Sequence, residues 1–285
     1  MVERLKQAIE KARARREGGG EGEGGPQAVS GAPDAPDAAD AAGAAAPVRA
    51  AWSALAAFTP DPAELMRRRI IARAKTDPAY LTFDVLRTRL LKVCADNTWR
   101  RIGITSPTKG CGKTVVAANL AFSIARNPAL KAALIDLDLK APQLADYFGV
   151  KGPLRIADWL SGKIASESHF ARVGDNLALG LNTERVRDSA ELIQSAAAAD
   201  AMADMTARLR PDIVVVDLPP VLVSDDAIAT LPHLDAVVLI AAAGQTKTAE
   251  IDSCERLLAD NTILLGVVLN KCREDTRDIY YEGYA

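Results

Sequence analysis

R-I-G-I-T-S-P-T-K-G-C-G-K-T, residues 101–114, running into V-V-A-A-N-L-A-F-S-I-A at 115–125, decides how this chain folds. An apolar, β-branched run ends in a glycine-rich turn, and the turn opens a helix. Strand, glycine turn and helix in that order are the setting a phosphate-binding loop requires. Gly110 and Gly112 let backbone N–H groups turn inward on a β-phosphate, and the helix N-terminus adds partial positive charge. Lys113 is placed to bridge β- and γ-phosphates, and the Thr114 hydroxyl to ligate Mg2+. Cys111 and Val115 complete the stretch expected around a nucleotide. Pro107 stands where the G-x-x-x-x-G-K-[ST] pattern has its first glycine.

Outward from this stretch the chain alternates apolar runs with helical segments. The runs are 101–105, 132–136, 176–180, 212–217, 236–241 and 263–270. Helices are expected over Lys113–Arg126, Ala190–Arg208 and Lys247–Ala259. Strands apolar on both faces belong to a buried parallel sheet, and βαβ alternation places helices on both faces. The fold class read from this is α/β: a P-loop NTPase with a mostly parallel sheet.

Two further motifs put acids at strand ends. A-A-L-I-D-L-D-L-K carries Asp136 and Asp138, and D-I-V-V-V-D-L-P-P carries Asp217. Open α/β sheets bind ligands beyond the carboxyl ends of their strands. A carboxylate there holds Mg2+ or accepts a proton from a nucleophile. An aspartate at such a position also serves as a plain helix cap. V-V-L-N-K-C-R contains Asn270-Lys271, the start of a guanine-reading N-K-x-D, but Arg273 replaces the aspartate. ATP is therefore the expected nucleotide, with Asn270 a contact to adenine.

Composition excludes several classes. The formal net charge is −2, so the whole chain is not a polyanion binder and no nucleic acid is expected. The four cysteines are scattered without C-x-x-C or metal spacing, which argues against disulfides or a zinc site. Two histidines leave little room for histidine catalysis. The first residues show no signal-peptide core. The longest apolar run, Ala236–Ala243, falls far short of the roughly 20 residues that span a bilayer. Any membrane role is expected through a partner, with the chain cytoplasmic and recruited to the inner membrane face.

Four segments are expected. Residues 1–17 hold an amphipathic helix, with Val2, Leu5, Ile9 and Ala12 on one side and a basic end at Lys11, Arg13, Arg15 and Arg16. Such a helix is either solvated or docks on a partner or an anionic membrane. Residues 18–51 are Gly-, Ala- and Pro-rich, expected as a disordered linker reaching about 30 Å. Residues 52–272 form the folded body, with further helices over Pro62–Lys75 and Pro78–Ala95. Residues 273–285 form a flexible tail holding Tyr280, Tyr281 and Tyr284, three of the chain's five tyrosines. Beside a nucleotide site they read as phosphoacceptors or as aromatics that dock on the body. Ser189 or Asp188 caps a helix, and Arg185 and Arg187 just before it are placed to reach phosphate or to face solvent. Cys111 is either a small filler or an oxidation-sensitive thiol.

Taken together, S-P-T-K-G-C-G-K-T, L-I-D-L-D-L-K-A-P, V-V-V-D-L-P-P-V-L-V-S-D-D-A and the terminal tyrosines resemble the cytoplasmic domain of bacterial tyrosine autokinases that govern capsule and exopolysaccharide export. The resemblance covers roughly residues 80–285. It implies that Lys113 and Thr114 hold ATP and Mg2+, and that Asp136 deprotonates or orients the attacking phenol. Asp138 and Asp217 would sit in the metal shell. Phosphate would pass between subunits to the terminal tyrosines. A membrane polysaccharide co-polymerase would activate the chain, here as a separate chain. Self-association as a ring or dimer is also implied.

The chain departs from that family's E-x-x-R-x-x-R, which here reads Leu81, Asp84, Arg87. Lys140 stands where the family often has Arg after D-x-D. Two other readings share the motifs. One is an ATPase similar to ParA and MinD, although Thr108 occupies the position of that class's signature lysine and Lys109 lies one residue late. The other is a nucleotide-switched interaction protein without phosphoryl transfer.

Overall fold

The computed structural model describes residues 38–72 and 79–272. Among them eight strands form one sheet: β1 (Ala56–Ala57), β2 (Arg101–Thr105), β3 (Ala132–Asp136), β4 (Ala171–Val173), β5 (Leu177–Gly180), β6 (Ile213–Asp217), β7 (Ala236–Ala242) and β8 (Leu264–Asn270). Their order is β1-β4-β5-β3-β6-β2-β7-β8. Every neighbouring pair is parallel except β4–β5. The expected mostly parallel α/β sheet is the fold observed.

Alternation along the strands builds two cores. Ile102, Ile104, Leu134, Val215, Val238 and Ile240 face the phosphate-loop helix Lys113–Ala125 and the helix Tyr80–Asn97. Ala133, Ile135, Val214, Val216, Val237 and Leu239 face the helices Ala196–Leu209 and Thr248–Ala259. Period-two strands buried on both sides explain why these runs read as continuously apolar.

Three expectations need correction. Residues 38–51, expected within the linker, are helical in Ala38–Ala54. Alanine has the highest helix propensity, and the helix is pinned where low complexity ends. Trp52 and Leu55 are buried, and Trp52 Nε1 donates to Leu209 O at 2.7 Å. Lys131 Nζ sits 4.2 Å from the Trp52 ring centre. Second, the helix expected over Pro62–Lys75 ends at Arg67. Arg69 turns to φ 60°, and Asn119 Oδ1 accepts from Ile71 N and Ala72 N at 2.7 and 2.9 Å. That side chain takes the donors a continuing helix would use. Third, Ala190–Arg208 is two helices, Ser189–Gln194 and Ala196–Leu209, broken at Ser195, whose Oγ accepts from Ala198 N. Residues 1–37 and 273–285, with the first amphipathic helix and the terminal tyrosines, lie outside the described residues.

Candidate active site

Sheet register brings the motifs together. Asp136 on β3 and Ile104 on β2 are each the direct partner of Asp217 on the central β6. All three stand at carboxyl ends of parallel strands, beside the loop leaving β2. Thr105 Oγ1 donates to Pro219 O at 2.7 Å, and Val221 N donates to Ser106 O at 2.9 Å. These bonds lock the phosphate loop to the segment that follows Asp217.

The loop turns through two left-handed glycines, Gly110 at φ 83° and Gly112 at φ 90°. Gly112 starts the helix Lys113–Ala125. A Cβ on Gly112 would lie 2.3 Å from Asn270 Nδ2. Asn270 Nδ2 donates to Cys111 O at 2.9 Å, and its Oδ1 accepts from Lys271 N at 2.8 Å. Both ends of the amide expected at adenine are thus engaged within the chain, one of them bracing the loop. Cys111 is buried. Its thiol donates to Thr108 O at 3.3 Å and lies 3.6 Å from Thr246 Oγ1. Val115 sits half-buried on the first helical turn.

Lys113 is the centre of charge. Its Nζ is 2.8 Å from Asp138 Oδ2 and 3.4 Å from Asp217 Oδ1, and donates to Thr114 Oγ1 at 3.2 Å. Burial works against its charge, but Asp217 and Asp138 outweigh burial and push its pKa up to about 12. Asp136 is fully buried. Its Oδ1 accepts from Asp138 N, and its Oδ2 from Gln143 N and Leu144 N, at 3.1–3.2 Å. Burial, then the neighbouring Asp217, hold its carboxyl well above the ordinary carboxylate range. Burial also raises Asp217, against the pull of Lys113.

The fit of a magnesium nucleotide follows from what is left over. Asp217 Oδ2 is buried with no hydrogen-bond partner among the described residues. A buried carboxylate oxygen without a partner is costly and calls for a cation or water. Among the described residues there is no preassembled group of three or more His, Cys, Asp or Glu side chains for a metal. Mg2+ keeps waters and phosphate oxygens and takes one or two carboxylates. Thr114 and Asp217, with Asp138, would hold it.

At the rim, Lys140 Nζ pairs with Asp225 Oδ1 at 2.6 Å and Asp226 Oδ1 at 3.0 Å. Ser189 Oγ donates to Asp226 Oδ2 at 2.7 Å instead of capping its helix, and the Asp188 side chain makes no cap bond either. Asp84 is held inside its own chain by Arg126 and Ser123. Sequence reading missed Asn119, Thr246 and the bracing role of Asn270. Asn119 was the legible one, an amide in the middle of the apolar helix V-V-A-A-N-L-A-F.

Comparison with known proteins places this geometry. EpsB of Ralstonia nicotianae, which bears a tyrosine-protein kinase name, is 29% identical over 74% of this chain. The chain spans only 28% of EpsB. The tyrosine-protein kinase YwqD of Bacillus subtilis is 28% identical over 72% of this chain and 86% of its own length. The solved BceF tyrosine kinase domain superposes with a TM-score of 0.62 at 25% identity, covering 75% of this chain and 92% of that domain. The family model for the CobQ/CobB/MinD/ParA nucleotide-binding domain matches residues 102–284, from the strand before the phosphate loop onward, and the chain belongs to that family.

Proposed function

We propose that this chain is a protein-tyrosine kinase that passes the γ-phosphoryl group of ATP to Tyr280, Tyr281 and Tyr284 of another copy. The observation that carries the reading is Lys113, charged up to about pH 12, packed in the phosphate loop beside a buried carboxylate with an unpartnered oxygen. The kinase names of the relatives support the choice of acceptor.

The phenol oxygen attacks the γ-phosphorus, and the bond from that phosphorus to the β–γ bridging oxygen breaks as ADP leaves. Loop N–H groups and Lys113 stabilise charge on the phosphoryl oxygens. Asp136 receives the phenol proton. Three backbone N–H groups fix its orientation. Mg2+, held by Thr114, Asp138 and Asp217, would supply positive charge to offset that on the phosphates. The physiological setting on this reading is control of exopolysaccharide polymerisation and export. A membrane co-polymerase on a separate chain would activate the kinase and recruit it to the inner membrane face. No helix of the described residues is long and apolar enough to cross a membrane.

The test is direct. Purified chain with ATP and Mg2+ is expected to gain phosphotyrosine within 273–285, mapped by mass spectrometry. A Lys113→Met chain, mixed with an active chain lacking 278–285, is expected to gain it too. Release of free phosphate with no phosphotyrosine in either mixture would instead establish an ATPase or a nucleotide switch.

A further inference from the structure

We infer that Arg185 and Arg187 form an acceptor-recognition site for the acidic tyrosine segment 273–285 of a second copy. This rests on the kinase reading above for its biological sense, though not for its test.

The two arginines sit on a short loop between β5 and the helix Ser189–Gln194. The loop is held rigidly. Asn182 is buried, its Nδ2 donates to Glu184 O at 2.7 Å, and its Oδ1 accepts from Glu184 N at 3.2 Å. Val186 N donates to Leu139 O at 3.0 Å, tying the loop to the segment that carries Asp136 and Asp138. Val186 packs against the core, and Ser189 anchors the far end on Asp226. Arg185 and Arg187, flanking Val186, are exposed, and neither side chain has a hydrogen-bond or ion-pair partner among the described residues.

Nearby carboxylates do not neutralise them. Glu184 Oε1 is taken by Arg155 at 3.0 Å, and Asp225 and Asp226 by Lys140. Asp188 follows Arg187 but makes no ion pair with it. The loop therefore offers, on a hydrogen-bonded backbone beside the candidate active site, two exposed guanidinium groups without partners among the described residues. Guanidinium forks suit carboxylate and phosphate partners. The segment 273–285 supplies such partners: Glu274, Asp275, Asp278 and Glu282 against Arg273 and Arg277.

Sheet order favours a second copy. The loop follows β5, while the segment 273–285 leaves β8, five strand positions away. At about 4.8 Å per strand that is on the order of 24 Å. With its own Tyr280 at the phosphate loop, a chain would leave Glu274, Asp275 and Asp278 on the β8 side of the site, away from the arginines. A second copy's segment can enter from the opposite side and lay those acids on Arg185 and Arg187.

The experiment measures binding of a fluorescent peptide of sequence 273–285 to the full chain by anisotropy at low salt. Arg185→Glu/Arg187→Glu is expected to weaken binding at least tenfold, and Arg185→Lys/Arg187→Lys to stay within about threefold of wild type. A peptide with the four acids changed to Asn or Gln is expected to bind weakly and equally to all three proteins. Added salt is expected to erase the wild-type advantage, because exposed charges are screened beyond about 10 Å at 0.1 M. Equal affinity of wild type and the double Glu variant overturns the proposal, and so does an equal loss with the neutral peptide. If the wild type binds the acidic peptide through the arginines yet never phosphorylates it, the recognition site stands and the kinase reading falls. If the peptide is phosphorylated with no dependence of binding on the loop, the reverse holds.

Discussion

Replacing Gly112 with alanine tests the phosphate loop at its tightest point. Gly112 sits at φ 90°, where an L-residue pays roughly 1–2 kcal/mol. Its new Cβ would stand 2.3 Å from Asn270 Nδ2, so the amide must swing away. Swinging it breaks the 2.9 Å bond to Cys111 O, a loss of about 1 kcal/mol. The sum is about 2–3 kcal/mol of folding stability. Asn270→Ala alone loses only the bond, about 1 kcal/mol. In Gly112→Ala the bond is already gone, so adding Asn270→Ala should cost almost nothing more. The double-mutant cycle should therefore show a coupling of about 1 kcal/mol. Urea denaturation of all four proteins measures the stabilities. A Gly112→Ala loss below about 0.5 kcal/mol, or two strictly additive substitutions, would refute both the strain and the bracing role of Asn270.

Lys113→Met is expected to lower ATP turnover on the order of 10²- to 10³-fold, measured by phosphate release. It also removes the cation that holds down Asp217 and Asp136, so both carboxyls rise further. Groups raised on folding stabilise at low pH and lose that contribution as pH climbs through their folded pKa, so the variant's melting temperature should increase from pH 8 to pH 5 more steeply than wild type's. His169 is buried against Trp159, with ring planes 2° apart, and burial, opposed by Asp158, brings its pKa down to about 4. Its neutral form is the stable one, so its contribution is complete above about pH 6.5 and fades as pH falls toward 4, by at most about 3 kcal/mol. His169→Phe should flatten that limb of a urea-stability profile, and an unchanged slope would count against the assignment. Trp52→Ala should cost about 3–5 kcal/mol by urea denaturation, because it empties a buried site and orphans Leu209 O; a loss below 1 kcal/mol would mean the helix Ala38–Ala54 is not part of the core.

The sheet was legible because its strands obey simple rules. Runs buried on both faces stay apolar throughout, and β2, β3 and β7 start where the apolar runs start. β1 and β4 were not legible. Two or three residues such as A-A or A-R-V carry no period, and only their place beside β5 makes them strands. The helix Ala38–Ala54 was hidden by composition: alanine-rich sequence without a polar/apolar pattern reads as linker until Trp52 and Leu55 are seen to be anchored. The acids of the site were legible as strand ends, but their pairing was not. That Asp136 and Asp217 are direct partners depends on β6 lying between β2 and β3, a fact of strand order alone. The bracing role of Asn270 was hidden for the same reason, since nothing local says that the end of β8 meets the start of the phosphate-loop helix.

Asp84 shows how a motif position changes meaning with its neighbours. In the E-x-x-R-x-x-R register Asp84 stands where the first arginine would be. Here its carboxylate accepts from Arg126 through both oxygens, at 2.8 and 3.1 Å, and from Ser123 Oγ at 2.8 Å. Burial disfavours its charge, but the Ser123 hydroxyl and Arg126 hold its pKa below the ordinary value. Arg87, the one arginine left in the register, donates to Ser123 O at 2.9 Å as well as to Asp84. Acid and arginine thus close a network that fastens the helix Tyr80–Asn97 to the phosphate-loop helix. A neighbour's cation could claim Asp84 only by displacing Arg126, an exchange of one ion pair for another with no new burial to favour it. Leu81, more than half exposed, is the residue of that face still free to meet a second surface. Self-association through this helix would therefore rest on apolar contact at Leu81, while on the acceptor-recognition proposal the charged selection of a partner falls to Arg185 and Arg187.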